Sequence, residues 1–484
     1  MSESTRSINK NTLFNVIKSV FGIIYPLITF PYISRVLMTE NVGKINYGNS
    51  IISYFALIAS LGISTYAIRE CARVRDDKEQ LEKTASQLLS INMVTTLISY
   101  TILIVLLIFS SKLESYRLLI CIQSCNILFT TIGADWLNTA MEDFRYIAVR
   151  TLSMQVISLT LMFVFVHKPE DYIRYALIAV VATSGANIFN VYYRRRFCRV
   201  HLTMDMDIRR HLPPIMMLFS LLLSQTIYVN SDMIILGLLK GDLPVGLYST
   251  AVKIYTLVNM TITSVSLVVM PQLSEGFAKK DFSQINRLLK YSLNFILILG
   301  IPSLCGIEVI SPHLIYLLAG DQYLAAAPAL RILGVALICS LIGGWIGNCT
   351  MIPAGREDIC LKSSIICALV NIVLNIILIP RWGLMAAALT TSLSEFLAIC
   401  IMAPNIDKNV RIEGLGQMLK GPLIGGAGIV AIGIAAQMLI EKAWVVSVVT
   451  IVLSVIWYVA VLTVTRNEFF LDFVRPVIRK IYRR

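Results

Sequence analysis

A chain of 484 residues with 56% hydrophobic and 15% charged side chains and a mean hydropathy of +0.74 does not fit a water-soluble fold. Soluble domains carry about a quarter charged residues, and a single aqueous core cannot cover this much apolar surface. The formal net charge of +13 would point to nucleic acid in a soluble protein, but here it must first be placed on a membrane topology.

A helix needs about 20 apolar residues to cross about 30 Å of hydrocarbon. Runs of that kind predict helices over 12–34, 45–68, 86–110, 117–139, 147–166, 172–193, 213–239, 244–271, 288–311, 324–351, 359–379, 383–403, 416–440 and 443–465. The expectation is an all-α integral membrane protein of about fourteen transmembrane helices. No stretch has the charged start, short apolar middle and small-residue cleavage site of a removable signal, so the first helix is expected to stay. The ten cysteines fall mostly in apolar runs, among them Cys121, Cys305, Cys339, Cys349, Cys367 and Cys400. They form no zinc-holding pairs and read as small buried hydrophobes.

With both termini on the inner side, 31 of the 42 Lys and Arg fall in inner segments and 9 in outer loops. The positive-inside rule therefore accounts for the net charge, in runs such as Arg194-Arg195-Arg196, Arg209-Arg210 and the basic tail, and nucleic acid drops out as a partner. The connecting loops are too short to form a folded extramembrane domain, so recognition must take place among the helices.

A weak duplication appears. Asn41-Val42-Gly43-Lys44-Ile45-Asn46-Tyr47 resembles Pro244-Val245-Gly246-Leu247-Tyr248, and Trp136-Leu137-Asn138-Thr139-Ala140-Met141 echoes Trp345-Ile346-Gly347-Asn348-Cys349-Thr350-Met351. Six helices separate the copies, which predicts two pseudo-symmetric six-helix lobes of the kind transporters use for alternating access. The expected division is an N-terminal lobe over 1–211, a C-terminal lobe over 212–404, and an appended helix pair with a basic tail over 405–484.

An ionisable side chain at mid-membrane costs about 2.5–3.5 kcal/mol on insertion scales, so each needs a partner, a cavity or a function. In the first helix Asn11, Asn15, Lys18, Gly22, Tyr25 and Thr29 form one polar stripe, which lines either a cavity or a neighbouring helix. Pro26 and Pro31 free backbone carbonyls in its outer half. Gln225, Tyr228 and Asp232 share a face of the seventh helix, and Ser249, Lys253 and Thr256 a face of the eighth. Asp232 and Lys253 lie at similar depth on the two arms of one hairpin, as an ion pair or with Lys253 free to meet an anion. Arg331 lies inside the tenth helix. Arg35 lies at the outer end of the first, where snorkelling also explains it. Glu395, beside Thr390, Thr391 and Ser394, is a candidate proton or cation site. Asp135 and Glu308 sit near helix ends and are less telling. No paired carboxylates, His cluster, phosphate-cradling glycine loop or nucleophile motif is present, so neither a cofactor nor ATP hydrolysis is expected.

Three stretches carry a family likeness: Pro31-Tyr32-Ile33-Ser34-Arg35-Val36-Leu37; Asp232-Met233-Ile234-Ile235-Leu236-Gly237 with Val245-Gly246-Leu247-Tyr248 through Lys253-Ile254; and Leu330-Arg331-Ile332-Leu333. They resemble the polysaccharide (O-antigen and capsule) flippases of the multidrug, oligosaccharidyl-lipid and polysaccharide exporter superfamily. The likeness covers essentially the whole chain. It departs at Met38-Thr39-Glu40-Asn41-Val42-Gly43, where a Gly-Pro-rich turn with a Tyr is more usual. The resemblance implies a MATE-like fold, a multi-pass protein of the bacterial inner membrane, and an undecaprenyl-diphosphate-linked oligosaccharide as substrate. It further implies a proton or sodium gradient as driving force, with membrane lipid, a polysaccharide polymerase and a chain-length regulator as partners.

On this reading Lys18, Arg35, Lys253 and Arg331 supply a cationic cavity for the diphosphate, Asp232 and Glu395 couple an ion, and Asn15, Tyr25, Gln225 and Tyr228 line the path. A drug or organic-cation exporter of the same fold would want acidic and aromatic groups instead. A peptidoglycan-precursor flippase differs only in the motif likeness, and a membrane polymerase or acyltransferase would need a catalytic outer loop. The longest outer loop, near 312–323, offers only His313 and Asp321.

Overall fold

The computed structural model describes residues 3–467 and 469–471, with the side chains of 3–19, Ile23, Leu267 and Ala443 excepted. Asn11, Asn15 and Lys18 therefore lie outside the described side chains. Every regular element among the described residues is helical.

Among the described residues thirteen segments are long and apolar enough to cross a membrane, and the first, Val20–Arg73, runs for 54 residues. Straight, it would measure about 80 Å, far more than one crossing needs. It is broken at Met38, where φ is 65° and ψ is 166°. The break yields α1 (3–37) and α2 (39–60) and restores the expected count of fourteen; a short helix, Ile63–Arg73, follows. The remaining spans are α3 (Lys78–Phe109), α4 (Arg117–Gly133), α5 (Phe144–Phe165), α6 (Pro169–Arg196), α7 (Ile208–Lys240), α8 (Asp242–Lys279) and α9 (Phe282–Ala319). After them come α10 (Asp321–Met351), α11 (Glu357–Trp382), α12 (Leu384–Met402), α13 (Leu415–Leu439) and α14 (Ala443–Val464).

The second copy of the repeat breaks at the same place. Gly241, four residues before Val245-Gly246, has φ 82° and ψ −169°, and Met38 lies four residues before Val42-Gly43. Both adopt a conformation that is nearly exclusive to glycine.

Several helices outrun their apolar runs. α8 continues to Lys279 and α9 begins at Phe282, although hydropathy alone ends and starts them well inside these points. The extensions are polar turns held by local bonds, such as Lys279 Nζ to Glu275 Oε1 at 2.5 Å, and hydropathy does not register them. Aspartates cap the starts of α3, α5 and α9: Asp77 accepts from the Glu79 and Gln80 amides, Asp143 from Tyr146 N, and Asp281 from Gln284 N. A carboxylate there offsets both the orphan amides and the positive helix end.

The chain divides between Gly237 and Leu238 into two compact units. In the first, one core gathers Ile63, Tyr66, Leu81, Leu88, Trp136 and Leu137, and α7 joins it through Ile215 and Leu218. His211, fully buried at the start of α7, bridges the Tyr66 hydroxyl at 3.0 Å and Gln87 Oε1 at 3.2 Å. Outward, Leu97, Ile104, Ile108 and Phe109 of α3 are exposed, as a lipid-facing side requires. Cys121 and Cys400 are exposed too, unlike Cys71, Cys198, Cys349 and Cys367, which are buried as expected.

In the second unit α13 and α14 pack on α9. Ile298, Ile429, Tyr458 and Leu462 form the contact, and the Tyr458 hydroxyl donates to the Ile298 carbonyl at 2.6 Å. Gln437 Nε2 reaches the Val309 carbonyl at 2.7 Å. The close approach depends on Gly425, where a Cβ would overlap the Tyr458 ring, whereas a Cβ on Gly306 meets nothing within 4 Å. Gly425→Leu is expected to cost about 1–3 kcal/mol through overpacking, read as a lowered thermal unfolding midpoint in detergent, with Gly306→Leu as the unshifted control.

Candidate functional site

The first unit satisfies most of its buried polar groups internally. α3 turns a polar face inward, with Ser86, Gln87, Ser90, Asn92, Thr95, Thr96 and Ser99 all buried. Asn92 and Thr95 both donate to the Ala59 carbonyl, at 2.8 and 2.5 Å, where α2 ends, and Ser99 donates to the Phe55 carbonyl at 2.7 Å. These hydroxyls and amides join helices rather than line a path. On α1, Tyr25 shares a 2.9 Å hydrogen bond with Ser158 of α5, and the Tyr32 hydroxyl donates to the Val166 carbonyl at 2.7 Å. Thr29 is buried and returns its hydroxyl to the Tyr25 carbonyl. The described part of the polar stripe is thus engaged with neighbouring backbone and side chains. Arg35 is exposed and donates to the Pro31 carbonyl at 2.9 Å. On α7, Gln225 is exposed, Tyr228 half-buried and Asp232 buried, within electrostatic reach of Tyr54 on α2.

A charged cluster in this unit escaped the sequence reading. Asp135 Oδ1 accepts from Arg150 Nη2 at 3.0 Å, Asn138 Nδ2 at 3.1 Å and Asn190 Nδ2 at 3.2 Å. The Arg150 side chain is only 8% exposed and Asp135 is 35% exposed. The guanidinium lies over the Tyr146 ring, which stacks on Tyr193 at 3.5 Å. Asp135 thus reaches inward to a buried arginine, rather than only outward to lipid headgroups as its place near a helix end suggested. Asn138 lies one turn along the same short helix, but Arg150 and Asn190 come from two other elements, for which spacing along the chain carried no signal.

The second unit concentrates its polar groups between α8, α10, α11 and α12. Asn371, Asn375 and Thr390 are fully buried; Thr390 Oγ1 donates to Asn375 Oδ1 at 2.6 Å, and Asn375 Nδ2 to Asn371 Oδ1 at 2.9 Å. Tyr248 and Thr391 share a 3.2 Å hydrogen bond, and Asn259 Nδ2 donates to Ser340 Oγ at 3.0 Å. Glu395 is half-buried beside this belt, within electrostatic reach of Tyr255, Cys339 and Cys367. The asparagine pair at i and i+4 in an apolar run was visible in the sequence, but a search confined to charges passes over it.

Two of the cations expected in the cavity, Arg331 and Lys253, lie in this unit and differ. Arg331 donates through Nε to Ser311 Oγ at 3.1 Å, near Glu308. Lys253 is accessible on α8, and no hydrogen bond or ion pair engages it among the described residues. Asp232 belongs to the first unit and Lys253 to the second. No group of three or more His, Cys, Asp or Glu able to hold a metal occurs among the described residues.

Known proteins resemble this chain in sequence and in fold. A family described as polysaccharide biosynthesis protein matches residues 8–277, and the MatE family matches 217–377. The chain is 21% identical over 399 residues to a putative O-antigen transporter of Shigella dysenteriae, covering 81% of this chain and 98% of that one. It is 22% identical over 397 residues to the capsular polysaccharide biosynthesis protein CapF of Staphylococcus aureus, covering 81% and 97%. Among solved structures, the lipid II flippase MurJ in an inward closed conformation superimposes with a TM-score of 0.72 at 16% identity, covering 96% of this chain and 100% of that one. An inward-facing multidrug resistance MATE family transporter gives 0.57 at 16% identity, covering 79% and 96%.

Removing one partner of a buried ion pair strands the other, at about 3–5 kcal/mol. Because Arg150 is the more deeply buried of the two, Asp135→Ala is expected to lower the thermal unfolding midpoint more than Arg150→Ala. Equal shifts would show that burial of the guanidinium does not set the cost.

Proposed function

This chain belongs to the polysaccharide biosynthesis protein family, and we propose that it is a flippase whose cargo is an undecaprenyl-diphosphate-linked oligosaccharide, moved from the inner to the outer leaflet. The observation that carries the reading is the near-complete coverage of proteins named for O-antigen transport and capsule synthesis. The chain is a transporter and not an enzyme. A likeness to MurJ at 16% identity is one of fold, so it does not favour a peptidoglycan precursor as cargo.

The physical argument agrees with an anionic cargo. A diphosphate entering a low-dielectric layer gains most from an unengaged cation, and Lys253 is accessible with its ammonium uncommitted among the described residues. Arg331, Arg35 and Lys18 are the further cations of the proposal, and Tyr25, Asn15, Gln225 and Tyr228 its lining. A drug or organic-cation exporter would present carboxylates there instead. For coupling, we take the carboxylates Glu395 and Asp232, where protonation or sodium binding would bias the exchange between inward-open and outward-open states. The polyprenyl tail stays in lipid while the head group crosses, and polymerase and chain-length regulator act on the delivered unit. The expected setting is a bacterial inner membrane with both termini cytoplasmic.

Deleting the gene and probing right-side-out and inverted vesicles with an impermeant sugar oxidant tests the reading. Unpolymerised units are expected to accumulate on the cytoplasmic face, with Lys253→Ala failing to restore export. Complete units on the outer face without polymer would overturn it in favour of a downstream enzyme. For coupling, Glu395→Gln is permanently uncharged and is expected to make export insensitive to a protonophore or to sodium removal. Retained sensitivity moves the coupling site to Asp232.

A further inference from the structure

The second unit holds a pocket that the transport path does not explain. It lies where α9 and α13 begin and α14 ends, encloses about 360 Å³, and is lined by Lys290, Asn294, Gln417, Lys420, Thr465 and Arg466 with Gly414, Met418 and Asn467. Among the described residues three cations line it and no carboxylate does. Lys420 and Arg466 are exposed, and neither side chain is engaged by a hydrogen bond or ion pair among the described residues.

The backbone adds to this charge. α13 starts at the pocket wall from Gly414, whose left-handed φ of 78° turns the chain into the helix, and no side chain caps it. The first amides of a helix have no partner inside it and carry its positive end, a ready anion site. The asparagines at positions 294 and 467 are buried and bond each other at 3.3 and 3.4 Å, which fixes the pocket floor between α9 and the end of α14. The lipid-facing helices α13 and α14 rise from the rim. The sequence after position 471 carries Arg475, Arg479, Lys480, Arg483 and Arg484 against Asp472, a composition suited to an anionic membrane surface.

We propose that this pocket binds the phosphate of a membrane lipid, held by Lys290, Lys420 and Arg466 against the uncapped start of α13, with the acyl or prenyl chain lying along the α13–α14 surface. Two lipids share that chemistry: an anionic phospholipid and a prenyl diphosphate. The proposal does not rest on the flippase reading, since it concerns binding at the membrane surface and not passage.

The test uses the full chain in detergent, titrated with short-chain phosphatidylglycerol, with farnesyl diphosphate, and with short-chain phosphatidylcholine as the zwitterionic control. Juxtamembrane cations contribute about a fivefold change in affinity each, so Lys420→Gln/Arg466→Gln is expected to weaken anion binding at least tenfold and to flatten its salt dependence. Loss confined to phosphatidylglycerol assigns the site to phospholipid, and loss confined to farnesyl diphosphate assigns it to prenyl diphosphates. No preference over phosphatidylcholine, or equal binding by variant and wild type, overturns the proposal. Lys420→Gln alone, at an exposed position, is read the same way at about a fivefold loss if the double variant does not fold. Because no transport is measured, failure here leaves the export assay untouched.

Discussion

Hydrocarbon offers no hydrogen bonds, and a backbone group released inside the membrane must find a protein partner or cost several kcal/mol. Much of this structure follows from that constraint. Where α2 ends, the Ala59 carbonyl takes both Asn92 and Thr95. Where α5 ends, Tyr32 takes the Val166 carbonyl. At the π-helical turn Val181–Gly185 of α6, the Ala179 and Val180 carbonyls accept from the Thr183 and Ser184 hydroxyls, at 2.8 and 3.1 Å. Polar side chains that look like a transport path in the sequence are in large part the means by which interrupted helices survive in lipid.

The same constraint separates what was legible from what was not. Hydropathy marks segments that exclude water, so the number and order of the spans could be read directly. It is silent on amphipathic turns that stay helical in water, so the ends of α8 and α9 were misplaced. Single charges in apolar runs stand out, which is how Asp232, Lys253, Arg331 and Glu395 were found. Arg150 did not stand out: it lies near a helix end, and only the fold brings it and Asn190 to Asp135. The asparagine pair at 371 and 375 was within reach of the sequence, since one helical turn separates two amides that cannot face lipid.

What remains of the polar interior after these structural duties is small and uneven. In the first unit the described side chains of α1 and α3 are largely committed to neighbours. In the second, a belt of amides and hydroxyls surrounds a half-buried carboxylate, and one lysine of α8 is uncommitted. The two units thus differ in how far their polar groups are bound up in holding helices together.

The paired breaks at Met38 and Gly241 make that inequality energetic. A glycine holds the conformation without penalty, whereas a methionine held there stores about 1–3 kcal/mol. Two copies of one backbone device therefore sit at different heights above their relaxed forms. The first turn therefore stores strain that the second does not, so two matching turns of one geometry differ in how much of the fold's stability they consume.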